Sequence, residues 1–200
     1  MENPRIPTVI LRDARTGAWL HFHDPRAVVV AHSPEEVRPA LRRIEELIEH
    51  RGWHAAGWIA FEAAPAFDPA FPTRATPGFP LLWFGLYSWP LPAPPPADPG
   101  RYRLGTWIPS VTRAEYDAAV AAVKERIAEG RTYQVNYTFR LRAPFAGSAR
   151  SLFRDMAAAQ ETGFAAFIDT GTHVVESTAR TTHSSIRTRS SASRRRNQSD

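Results

Sequence analysis

"TYQVNYTFRLR", residues 132–142, alternates with almost no error. Tyr133, Val135, Tyr137, Phe139 and Leu141 fall on one side of an extended chain; Gln134, Asn136, Thr138, Arg140 and Arg142 fall on the other. The spacing predicts a β-strand. Its polar side is either solvated, as one face of an antiparallel strand commonly is, or it lines a site. Gln134 and Asn136 sit two apart, and each both donates and accepts hydrogen bonds, whereas a wet face usually carries Lys, Glu and Thr.

Working outward, "TRAEYDAAVAAVKERIAEG" (112–130) predicts a helix. Thr112 and Glu115 have capping-box spacing, Tyr116, Val120, Val123 and Ile127 form an apolar stripe, and Gly130 ends it. Beyond the strand, "SARSLFRDMAAAQ" (148–160) predicts a second helix, and "GFAAFIDTGTHVV" (163–175) a hairpin turning near Thr170–Thr172. "YRLGTWIPS" (102–110) is expected to be a strand. This order predicts an α+β layer structure.

Towards the N-terminus, "TVILRDARTGAWLHFHDP" (8–25) predicts two short strands around a turn at Arg15–Gly17. "VVVAHSPEEVRPALRRIEELIEHRG" (28–52) predicts a strand and a helix, with Ser33 and Glu36 at capping-box spacing, Pro34 in the first helical position and Gly52 as the stop. Val37, Leu41, Ile44 and Ile48 share one face. Pro39 conflicts with a regular helix from Pro34, so a later start or a kink is expected. "WHAAGWIAFEAAPAFD" (53–68) and "PLLWFGLYSW" (80–89) are expected to be buried strands, separated by an irregular Pro-rich loop. "PLPAPPPADPG" (90–100) should form neither ladder nor helix but a stiff connector. The expected division is an N-terminal α+β subdomain (1–89), this linker (90–100), a second unit (101–175) and a disordered Ser/Arg-rich tail (176–200).

With 200 residues, 43% of them hydrophobic and 11% aromatic, the chain can bury a core. It has no Cys, which excludes disulfides and thiolate metal sites and is compatible with a cytoplasmic location. No signal peptide and no apolar run of membrane-spanning length is expected. The net charge of +5 hints at nucleic acid, but residues 174–200 hold six Arg against Glu176 and Asp200, leaving the body with 19 basic and 18 acidic side chains. A basic tail without interleaved aromatics points to no nucleic-acid partner.

Candidate chemistry is sparse. His21 and His23 share a strand face with Asp24 nearby, but no third ligand is indicated, and a surface hairpin is the plainer reading. Glu62 and Asp68 lie in an apolar setting, where a carboxylate needs partners, and a structural role is favoured over catalysis. Ser88 lacks the glycines of a nucleophile elbow, and no phosphate-cradling Gly motif is present.

"GWIAFEAAPAFDPAF" (57–71), "PLLWFGLYSW" and "VAAVKERIAEGRTYQVNYTFRLRAPFAG" (120–147) resemble, in order, the chorismate-utilising enzymes. Within that family they resemble the aminodeoxychorismate synthase component I group (the large subunit of para-aminobenzoate synthase), most closely members fused to an aminodeoxychorismate lyase. The resemblance spans roughly residues 8–175. It implies the N-terminal portion of a sandwich of antiparallel sheets with flanking helices, whose two halves surround a chorismate pocket. It also implies Mg²⁺ on the substrate carboxylate, ammonia from a glutamine amidotransferase partner, a covalent Lys intermediate, and a product used for folate.

In this family the strand matching 132–140 borders the cavity, which makes Gln134, Asn136 and Thr138 candidate lining residues. Relatives that hydrate chorismate carry a Lys base where this chain has Gln134, and a neutral amide is no base. The resemblance therefore points away from isochorismate and toward amination, with anthranilate synthesis as the alternative product. After "HVV" the family continues with a motif like "SASPELFF", but here "ESTARTTHSS" follows. The expectation is a truncated form, inactive alone, with no catalytic residue and no Mg²⁺ ligand of its own. A non-catalytic partner-binding module is the other reading.

Overall fold

The computed structural model describes residues 6–74, 76–97, 100–160 and 163–179. Strand β5 (Leu82–Tyr87) is apolar at nearly every position because both its faces are covered. It pairs antiparallel with β3 (Ala27–Ala31) on one edge and β4 (His54–Ile59) on the other. Leu82 and Leu86 face α1 (Pro34–Arg51), meeting Val37, Ala40 and Ile44. Trp83 and Tyr87 face the opposite way. The Tyr87 ring crosses Gly85, where any Cβ would strike its hydroxyl, and burial pushes the Tyr87 pKa up to about 12.

The second sheet has five antiparallel strands in the order β12 (Val174–Ala179), β11 (Phe164–Asp169), β1 (Thr8–Arg12), β2 (Trp19–Phe22) and β6 (Leu91–Ala93). Val9, Phe22 and Ile168 pack against Trp83, Tyr87 and Ala56 of the first sheet. On its other face, Ile10, Trp19, Ala165 and Phe167 lie under Phe153 and Ala157 of α3 (Ala149–Gln160). The layers thus run helix, sheet, sheet, helix, and the chain has the expected α+β class with antiparallel sheets and flanking helices.

Local sequence accounts for the turns. Between β1 and β2 the Asp13 carboxylate accepts from the Arg15 N–H (2.9 Å) and the Thr16 hydroxyl (2.7 Å). At the start of α1 the Glu36 carboxylate accepts from the backbone N–H of His32 and Ser33, at 2.7 and 3.2 Å. Gly52 stops this helix at φ 65°, with its N–H on the Ile48 carbonyl. The expected late start is not found: the helix begins at Pro34 and continues through Pro39 to Arg51. "FEAAPA" forms a 3-10 helix, Phe61–Ala66, rather than extending strand β4.

Four further expectations are corrected. Residues 91–93 of the Pro-rich segment do enter a ladder, pairing with Trp19–His21, because an edge strand leaves Pro92 without need of a donor. The five-stranded sheet therefore draws strands from both sides of that segment. "YRLGTWIPS" splits into β7 (Tyr102–Leu104) and β8 (Ile108–Pro109). Of the supposed disordered tail, Glu176–Ala179 belong to β12, in register with Phe164–Phe167; residues 180–200 lie outside the described residues.

The fourth correction concerns the strand expected at 133–141. Only β9 (Leu141–Arg142) is paired, with β8. No described strand lies beside residues 133–139, so the alternation has no ladder. Tyr133 is 100% exposed, and Val135, Tyr137 and Phe139 stay exposed as well. Helix α2 (Arg113–Ala128) has its capping box but buries none of its stripe. Its Tyr116 ring reaches Tyr137 and Phe139 at 5.7 and 5.8 Å. Strand β10 (Phe145–Gly147) pairs with β7 and leads into α3.

Candidate functional site

The three lining residues taken from the sequence lie together on the extended stretch before β9. Gln134 Nε2 donates to Asn136 Oδ1 at 3.3 Å, and the Thr132 hydroxyl donates to the Gln134 carbonyl. All three, Thr138 included, are exposed. Arg140 anchors the end of this stretch. Its backbone N–H donates to the Ser110 hydroxyl at 3.1 Å, and its guanidinium lies 3.4 Å from Glu62. Glu62 also accepts from the Thr76 hydroxyl, and Asp68 accepts from the Ala70 N–H, so both carboxylates have structural partners.

A second collection of polar groups was not evident in the sequence. A cleft of about 710 Å³ opens where β10 turns into α3 above β11 and β12. Phe145, Ser148, Arg150, Phe167, Asp169 and Glu176 line it. The Arg150 guanidinium stands 5.7 Å from the centre of the Phe167 ring. Asp169 is held at the β11–β12 turn by accepting from the Gly171 N–H at 2.8 Å. Glu176 sits opposite Phe167 in the ladder. Its Oε2 is buried without a hydrogen-bond partner among the described residues, and burial pushes its pKa up to about 7. A carboxyl poised there can give or take a proton near neutrality, and Arg150 offers a cation to an anionic group.

Behind the cleft, burial holds His21 below its usual pKa, with the charges of His23 and Arg150 adding to the effect. His21 Nε2 lies 2.6 Å from the Thr8 hydroxyl, and His23 Nδ1 lies 2.9 Å from Asp24. Among the described residues no three His, Asp or Glu side chains gather to hold an ion. No helix among them is long and apolar enough to cross a membrane.

A family model of chorismate binding enzymes matches residues 7–180. The chain belongs to the chorismate-binding enzyme family. No curated protein matches it. The match takes in every described strand from β1 to β12, helices α1 to α3 and both collections of polar residues. It also covers Glu176, which sequence reading assigned to the tail because of the Ser/Thr/Arg composition that follows. The usable signal was the alternation of Val174, Glu176 and Thr178 with Val175 and Ser177, which continues the hairpin's period of two.

Proposed function

We propose that this chorismate-binding chain serves the amination branch of the family. In that branch ammonia replaces the 4-hydroxyl of chorismate, water leaves, and 4-amino-4-deoxychorismate forms. A glutamine amidotransferase would supply the ammonia. The observation that carries the reading is Gln134 in the motif "YQVNY", where a hydrating enzyme needs a base. Gln134, Asn136 and Thr138 would line the chorismate cavity, as neutral donors and acceptors suited to its hydroxyl and ether oxygens. The sequence holds a single Lys, Lys124, and it is exposed on α2. The chain therefore contributes binding surface rather than a buried Lys nucleophile.

The test is incubation of the chain with chorismate, Mg²⁺ and ammonium, with products separated by liquid chromatography, alongside saturation-transfer NMR of chorismate. The expected result is chorismate recovered unchanged, with a binding signal that Gln134→Ala and Asn136→Ala weaken. Isochorismate or anthranilate among the products would overturn the amination reading. Aminodeoxychorismate would support that reading while refuting the claim about the Lys.

A further inference from the structure

Residues 133–139 carry the clearest strand pattern in the sequence, yet their backbone joins no ladder among the described residues. Among the described residues, ladder contacts reach this stretch at its end, where Ser110 meets Arg140 and β8 pairs with Leu141–Arg142, and the Tyr116 ring touches Tyr137 and Phe139 on its apolar side. The edge facing away from β8 has no ladder partner among the described residues, and Tyr133, Val135, Tyr137 and Phe139 beside it are exposed. Such an edge is a template for another extended chain.

We propose that this edge pairs with the same segment of a second copy, antiparallel, about a two-fold axis at Tyr137. The sequence is self-complementary in that register. Tyr133 stands opposite Leu141, Val135 opposite Phe139, and Tyr137 opposite its own copy. On the polar side Gln134 meets Arg140 and Asn136 meets Thr138. All of 133–141 is paired and no Arg faces an Arg, whereas an axis at Arg140 or Leu141 sets Arg against Arg. Antiparallel pairing keeps both apolar sides on one face. There Tyr116 of each α2 already touches Tyr137 and Phe139, so the two helices back one shared ribbon. The pairing does not depend on the amination reading.

The absence of Cys from the chain makes the register directly measurable. Tyr137→Cys places two thiols opposite each other at the axis, where Cα atoms of paired strands lie about 4.5–5.5 Å apart, within disulfide reach. Gln134→Cys places them six residues apart along the ribbon, about 20 Å. Mild oxidation should therefore link Tyr137→Cys into a covalent dimer and leave Gln134→Cys monomeric. A mixture of the Val135→Cys and Phe139→Cys proteins should cross-link where neither does alone. In analytical ultracentrifugation the unmodified chain should show a monomer–dimer equilibrium. Tyr137→Arg, which sets two cations at the axis, should weaken it at least about tenfold without changing the far-ultraviolet circular dichroism. A monomer at every concentration would overturn the proposal. So would open-ended aggregates, or equal cross-linking at 134 and 137.

Discussion

Glu176 is the residue whose behaviour is most open to measurement. Its carboxyl has an ordinary value of 4.5 and is raised to about 7 by burial beneath α3. Between those two values the folded chain holds a proton that the unfolded chain has released. Stability therefore falls as pH rises through that window, and the full penalty is present above about 7. Because the side chain is only part-buried, solvent screening reduces the penalty to about 1–2 kcal/mol. Glu176→Gln keeps the shape and removes the charge. It should melt higher than the parent at pH 8, and the two curves should converge below pH 4.5. A difference that stays constant from pH 4 to 8 would show that the carboxyl does not titrate in that window. The residue scale is also where the sequence was least legible. Glu176 is followed by Ser, Thr and Arg, and composition says nothing of a strand that is ordered by its neighbour. Arg150 and Asp169 looked like helix and turn residues until folding set them around one cleft.

Elements with strong local signals were legible. The capping residues of α1 and α2, the left-handed Gly52 and the hairpin closed by Asp169 are all written in a few adjacent residues. Pro39 shows the limit of local rules. Its ring removes the hydrogen bond that residue 39 would give to the Glu35 carbonyl, yet α1 continues, because Val37, Ala40 and Ile44 are buried against β5 and hold the helix on either side. Pro39 itself is exposed, so nothing in the core requires the ring. Pro39→Ala restores the donor without disturbing packing, and it should stabilise the chain by about 1–3 kcal/mol in urea unfolding. A lower unfolding midpoint would mean that the helix is bent around Pro39 in a way the rest of the fold exploits. Residues 133–141 fail for the opposite reason. Their alternation is the best in the chain, but a strand is a pairwise object, and the sequence of one strand does not contain its partner.

At the scale of the whole molecule the sequence revealed the layers but not their connection. Pairing of β1 with β11 joins residues 8–12 to 165–169, and no local pattern announces a contact across that separation. Through that pairing α3 and β11 become part of the core of the sheet that holds β1 and β2. What remains weakly held is narrower, running from β8 through α2 to β9. Helix α2 has no buried residue, and at this length an isolated helix is marginal in water. Trp107, Ile108, Tyr133 and Leu141 are exposed beside it. Stability should therefore be unequal along the chain. In dilute solution, amide hydrogen exchange should be slowest in β1, β5 and β11, where Val9, Leu82, Leu86 and Ile168 are buried, and fastest across 113–140. The same exposed apolar surface should bind a hydrophobic dye under native conditions. If α2 were as protected as β5 at concentrations where the chain is monomeric, its stripe would have to be covered by contacts within the same chain. The division of the molecule into a four-layer core and a loosely held α2 unit would then be wrong.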